Sequence, residues 1–199
     1  MAASKRVMVC SGGTAAVRGD TDINDGAVHY WEVSTSGQGH PMAMMFGVCT
    51  QDARLHSKRE CTLLGEDEKS WALCDSGQLH HGGQSKPYTE SFTRRVPTTI
   101  GILFDSQSGT LEFYKDSKHL GIAFTGLKTD KRLYPAIACT AATTEMTLGV
   151  RRRTFVSLQD QCRRVIVRAC ASSDIDKLPL PRALRDYVQQ LNRHRADKN

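Results

Sequence analysis

The sequence predicts a mainly β protein, an antiparallel β-sandwich, followed by a small helical segment. Three observations carry this. Through residue 150 the chain is a series of short apolar stretches separated by Gly, Asp and Ser turns, at roughly 8–15-residue spacing, with no long helical period between them. Beyond Arg151-Arg152-Arg153 the apolar period changes to that of a helix. Charge changes at the same place. Residues 1–150 hold 15 Lys and Arg against 16 Asp and Glu, whereas 151–199 hold 12 against 5, so nearly all of the excess positive charge sits in the tail.

Taken in order, "AVHYWEVS" (27–34) is rich in aromatic and β-branched residues and reads as a strand. "MAMMFGVCT" (42–50) is almost continuously apolar, as a strand buried on both faces would be. "SWALCDSG" (70–77) and "TTIGILFD" (98–105) follow as strands. In "FDSQSGTLEFYKDSKHLGIAF" (104–124) the alternating "TLEFY" lies between a Ser-Gly turn and the polar turn "KDSKH", the clearest hairpin signal in the chain. "RLYPAIACT" and "EMTLGV" complete the β part.

In the tail, Leu158, Cys162, Val165, Ile166 and Ala169 form one helical stripe, with Arg163, Arg164 and Arg168 turned away and Ser157 placed as N-cap. After "SSDID" comes Leu178-Pro179-Leu180-Pro181, and then a second apolar helical face of Leu184, Tyr187, Val188 and Leu191. Helices this short are marginal in water, and these two cannot bury both stripes on each other, so they require further packing or a partner. Arg151–Arg153 reads as a solvated hinge between the parts, with nuclear import or contact with an acidic region of a substrate as the alternatives.

Bulk properties exclude several classes. No apolar run approaches the ~18 residues of a membrane span, and the start lacks the apolar core of a secretory signal. Seven scattered cysteines without a C-x-x-C pair suggest neither a disulfide framework nor a zinc site, and those inside apolar runs read as buried thiols. The expected setting is therefore the cytoplasm, the nucleus or both. His80 and His81 are adjacent on an extended stretch and so point to opposite sides, with no acidic or thiol cluster beside them, which argues against a metal or acid–base site. "GGQSK" has neither P-loop nor dinucleotide spacing, and the Ser11 stretch has no nucleophile-elbow context. No cofactor is expected.

The ordered motifs "HYWEVS", "SWALC", "GILFDSQSGTLEFYKD" and "LYPAIA" resemble those of a SPRY (B30.2-type) domain. The tail is similar to a SOCS box: Ser157, Leu158, Cys162 and Ile166 match its elongin-binding pattern, and Leu178-Pro179-Leu180-Pro181 its cullin-5-selecting element. Together with "GTAAVRG", "DARLHS" and "TLLGEDEKSWALC", they make the chain resemble a SPRY domain-containing SOCS box protein over nearly its whole length. The resemblance implies a SPRY domain at 1–150, a SOCS box at 151–192 and a polar tail at 193–199. Within the SOCS box it implies an elongin-binding helix at 157–171 and a cullin element at 178–191. Members of this family carry further residues, an early strand among them, before "GTAAVRG", so a shortened N-terminus with an unpaired sheet edge is expected.

The function so implied is that of a non-catalytic substrate adaptor of a cullin-5 RING ubiquitin ligase. Elongin C, with elongin B, would be held by Leu158, Cys162 and Ile166. Cullin-5, with its RING subunit, would be held by Leu178, Pro179, Leu180, Pro181, Leu184 and Tyr187. A peptide degron, Asn-containing sequences among the candidates, would sit on loops at one end of the sandwich, at Thr50, His80, His81, Thr140, Ala141 and Ala142. Members that bind Asn-rich peptides carry Tyr and Val-Trp-Gly where this chain has His80 and Thr140-Ala141-Ala142, and in this the chain looks more like a divergent third member of the family. The alternative reading is a SPRY interaction module that acts without ligase assembly. Nucleic acid is a distant third, because the basic tail lacks interleaved stacking aromatics.

Overall fold

The computed structural model describes residues 5–7, 13–36, 43–58, 62–92, 96–127, 130–140, 145–155, 157–170 and 174–188. The chain divides into two compact units, Met1–Thr154 and Phe155–Asn199.

The first unit is built from thirteen strands among the described residues. In chain order they are β1 (Lys5–Val7), β2 (Thr14–Arg18), β3 (Ala27–Thr35), β4 (Ala43–Thr50), β5 (His56–Ser57), β6 (Ser70–Cys74) and β7 (Gln78–His81). These are followed by β8 (Gln84–Pro87), β9 (Thr98–Asp105), β10 (Thr110–Lys115), β11 (Lys118–Phe124), β12 (Leu133–Thr140) and β13 (Glu145–Phe155). One sheet has the order β1-β13-β3-β9-β10-β11 and the other β5-β2-β12-β4-β6-β7-β8. The fold is the antiparallel sandwich the sequence predicts.

Burial follows residue order within each strand. β3 alternates strictly, sending Trp31 and Val33 inward. Ile100, Ile102 and Phe104 of β9 and Leu111 and Phe113 of β10 meet Phe46 and Val48 of β4 in the layer between the sheets. β4 is buried on its other face as well, where Met45 and Cys49 lie with Leu63, Leu64 and Ala72 in a second, smaller cluster. The segment carrying Leu63 and Leu64 covers the outer side of the sheet, which is why "MAMMFGVCT" is apolar throughout rather than alternating.

Two tight turns flank β10. Between β9 and β10 the Asp105 carboxylate accepts from the backbone N–H of Gln107 (3.0 Å) and Ser108 (3.3 Å). Between β10 and β11, Asp116 and Ser117 both adopt positive φ, 48° and 68°, as a two-residue hairpin of this twist demands. Asp116 is anchored there, its carboxylate accepting from the Thr99 N–H at 2.9 Å. Ser117 bears the steric cost of its left-handed backbone. Ser117→Gly is therefore expected to stabilise the domain by about 0.5–1 kcal/mol, read as a rise in the urea midpoint at unchanged slope.

One element runs past its expected end. The sequence places the end of β13 at Val150, with Arg151–Arg153 as a solvated hinge, yet the three arginines lie within the strand, which continues to Phe155. No Gly or Pro interrupts that stretch, and Thr154 and Phe155 are good strand formers. Arg153 is held by the Asp25 carboxylate at 2.6 Å.

The second unit opens with α1 (Leu158–Ala169), in which the Gln161 N–H donates to the Ser157 carbonyl at 2.9 Å, placing Ser157 at the N-cap. A single 3-10 turn, Ile175–Lys177, precedes the proline element. A second helix, α2 (182–188), starts from Pro181, whose carbonyl accepts from Leu184 and Arg185. Residue 171 and residues 189–199, including the remainder of the expected cullin element and the polar tail, lie outside the described residues.

Candidate functional site

In the second unit the two expected partner-binding sets face a common space. Leu158, Cys162 and Ile166 from α1, Leu180 from the proline element, and Leu184, Tyr187 and Val188 from α2 line an almost wholly apolar groove of about 520 Å³. The Arg163 guanidinium lies over the Tyr187 ring, 4.5 Å from its centroid, and ties α1 to α2. Leu158 is 76% exposed and Leu184 44%. An aliphatic side chain so open on a short helix gains little from the fold of its own unit.

Leu178, Pro179 and Pro181 do not line that groove. Leu178 has extended backbone (φ −65°, ψ 139°), and the Leu180 N–H donates to the Leu178 carbonyl at 2.7 Å. The prolines therefore fix the path of the segment, while Leu180 enters the groove.

The thiols separate by burial. Cys49, Cys74 and Cys139 are buried, and Cys162 is exposed. Burial pushes the Cys49 thiol up to about 11, in spite of the nearby Arg18, and also raises Cys74. With iodoacetamide at pH 8, Cys162 is expected to be alkylated ahead of the buried Cys49, Cys74 and Cys139. Cys49 should react at least ~100-fold more slowly, because its thiolate fraction is so much smaller than that of an exposed thiol. Peptide mapping by mass spectrometry over time reads this order directly.

In the first unit, Thr50 and Thr140 of the expected degron set do not lie at the same end of the sandwich. Thr50 pairs in register with Leu133, whereas Thr140 pairs with Ala43, so the two are seven positions apart on neighbouring strands, roughly 23 Å at ~3.3 Å per residue. Ala141 and Ala142 lie outside the described residues. Thr140 is buried, its hydroxyl within 3.5 Å of both the Thr14 hydroxyl and the Ala43 carbonyl.

Thr50 and His81 do share a cleft, of about 540 Å³, together with Trp71, Asp67, Glu68, Lys69 and Lys131. His81 is committed to its surroundings: it stacks on Trp71 (4.6 Å, 16°), and its Nδ1 lies 2.9 Å from the Ser70 carbonyl. His80, the preceding residue of β7, has a buried Nε2 with no hydrogen-bond partner among the described residues, and burial lowers its pKa, favouring the neutral ring. Gly65 packs so close to His80 that a Cβ there would lie 2.4 Å from the His80 backbone. The Oγ1 of Thr50 is likewise buried, with no partner among the described residues. The sequence reading missed Trp71 as the platform for His81. The local run Ser70-Trp71-Ala72 carries no signal for a cross-strand stack, which only the β6–β7 pairing creates.

The comparisons with known proteins agree with both units. The SPRY domain family matches residues 28–151, and the SOCS box family matches residues 155–189. SPRY domain-containing SOCS box protein 3 of Xenopus laevis is 34% identical over 185 residues, 91% of this chain and 50% of that protein. Human SPRY domain-containing SOCS box protein 1 is 32% identical over 192 residues, 88% of this chain and 68% of that protein. The chain thus spans about half the length of the first of these relatives. A crystal structure of a human SPRY domain matches 72% of this chain and 94% of its own with a TM-score of 0.56 at 19% identity, a likeness of fold.

Proposed function

The chain belongs to the family of SPRY domain-containing SOCS box proteins, and on that premise we propose that it is a non-catalytic substrate adaptor of a ubiquitin ligase. In this reading the SOCS box docks on elongin C, with elongin B, and on cullin-5 with its RING subunit, while the SPRY unit holds a peptide degron. Ubiquitin transfer then takes place on other subunits. The adaptor contributes effective concentration, since a tethered lysine attacks the charged carrier almost intramolecularly.

The observation that supports this best is the exposed apolar groove headed by Leu158, with Cys162 and Ile166 one and two turns along the same face of α1. An aliphatic knob on a helix, followed by a small residue that permits close approach, is how a helix seats in a partner's groove. The prolines fix the path of their segment before contact, with a tight turn at Pro179 closed by the Leu180 N–H on the Leu178 carbonyl, which lowers the entropy lost on docking.

Co-expression with elongins B and C, followed by size-exclusion chromatography, tests the proposal. A stable ternary complex is the expected result. A folded chain that elutes alone would defeat the adaptor reading and leave the SPRY unit as an interaction module acting without ligase assembly.

A further inference from the structure

One end of the seven-stranded sheet carries the cleft of about 540 Å³, and its polar groups are not used up by the fold. The lining comes from Lys131 just before β12, Thr50 at the end of β4, Trp71 at the start of β6 and His81 at the end of β7. Asp67, Glu68 and Lys69, which lead into β6, complete it. β12, β4, β6 and β7 are consecutive antiparallel neighbours, so these alternating starts and ends fall together. The rim stands in solvent: Asp67, Glu68 and Lys69 are exposed, as is the Lys131 side chain.

Three observations define what the cleft can hold. Thr50 is 3% exposed, yet its hydroxyl has no partner among the described residues. A buried hydroxyl left unpaired costs stability, and a bound polar group removes that cost. His81 sets Nδ1 against the Ser70 carbonyl, which only accepts, so Nδ1 carries the proton and Nε2 of the neutral ring is a bare acceptor. Charge is the third. Lys131 is engaged by Asp52 at 3.8 Å, whereas Asp67 and Glu68 form no ion pair among the described residues. Two carboxylates are thus set against one ammonium, that of Lys69. Acceptors predominate, and an anion would meet both the carboxylates and the Nε2 lone pair.

We propose that this cleft binds an arginine side chain of a partner protein. A guanidinium donates five hydrogen bonds and accepts none, which suits a site made of Thr50 Oγ1, His81 Nε2 and two carboxylates. Trp71 adds an aromatic wall, which favours a weakly hydrated guanidinium over an ammonium. Thr50 and His81 stand two strands apart, roughly 10 Å at ~4.8 Å per strand, a span that suits a long side chain better than a compact cation. The inference names a ligand for the SPRY unit alone and does not depend on elongin docking, so the two readings fail separately.

The test is heteronuclear NMR on the full chain without elongins. N-acetyl-arginine amide is titrated against its neutral near-isostere N-acetyl-citrulline amide and against N-acetyl-glutamate amide. Saturable shifts of the Thr50 and His81 amides and the Trp71 indole are expected with the arginine compound. The citrulline compound should bind at least ~10-fold more weakly, and the glutamate compound not at all. Glu68→Gln should weaken arginine binding about two- to threefold, and more at low salt. Thr50→Val keeps the shape of the side chain and should weaken it at least ~10-fold, while the Tm stays equal or rises because an unpaired hydroxyl is gone. A hydroxyl with a structural role gives the opposite, a lower Tm at unchanged affinity. That result, equal binding of the citrulline or glutamate compound, or no saturable shift at the three residues would overturn the proposal.

Discussion

Leu158→Ala is expected to abolish stable capture of the elongin B–C heterodimer while leaving the free protein almost unchanged. The two effects separate because Leu158 is 76% exposed in the unbound chain. Truncating a side chain already in water removes little packing, so the change in unfolding free energy should stay within about 0.5 kcal/mol. In a complex the same side chain would become a buried anchor, whose loss typically weakens binding by ~2 kcal/mol or more, at least about thirtyfold. Isothermal titration of elongin B–C into parent and variant reads the second quantity, and urea unfolding reads the first. Cys162→Ala, one turn along, should act in the same direction but more weakly, because less surface is removed. Unchanged affinity in the Leu158 variant would mean that the groove is not the elongin contact.

The largest effect on stability is expected from Gly47→Ala. Gly47 sits in β4, paired with Ala136 on one side and Ala72 on the other, within a strand covered on both faces. A Cβ at this position would lie 1.9 Å from the Trp71 carbonyl oxygen and 2.9 Å from the Ala72 Cα, both of them backbone atoms. Neither can swing aside as a side-chain tip would. The sheet must therefore separate locally between β4 and β6, breaking ladder hydrogen bonds and opening both clusters. Overpacking of a well-packed interior costs about 1–3 kcal/mol even where side chains can adjust, so here a loss of at least ~3 kcal/mol is expected. For a domain of this size that shows as a drop in Tm of roughly 6 °C or more, or as insoluble expression. A soluble variant with an unshifted Tm would show that β4 and β6 lie farther apart than the register implies.

Much of the fold was legible in the sequence, and where the reading failed the reasons are geometric. The apolar run of β4 announced a strand covered on two sides, and the Leu63–Leu64 segment is what covers it. The "TLEFY" hairpin was readable because turn chemistry and alternation agreed. β13 was cut short because three consecutive arginines carry no alternating apolar signal, and pairing with a neighbour, not side-chain pattern, holds that stretch extended.

The expectation that Thr50 and Thr140 share one end of the sandwich failed for a different reason. Thr50 and Thr140 each end a strand, β4 and β12, and those strands are antiparallel neighbours. Two C-terminal ends of antiparallel neighbours must lie at opposite ends of a sheet. Pairing the strands before placing the loops would have separated the two residues. The helical unit was the easiest to read, because its stripe is local: Leu158, Cys162 and Ile166 share a face by spacing alone.

The groove of that helical unit has one further consequence. Its walls come from both halves of the unit, α1 on one side and the Leu180–Val188 stretch on the other, so a ligand seated against one wall borders the other as well. A ligand that shifts Leu158 relative to Leu184 changes the surface offered to whatever grips the opposite wall. Thermodynamic linkage then requires reciprocity: the factor by which the first ligand alters the affinity for the second equals the factor by which the second alters the first. The order of assembly can change the speed of the process, but the final free energy is the same by either route.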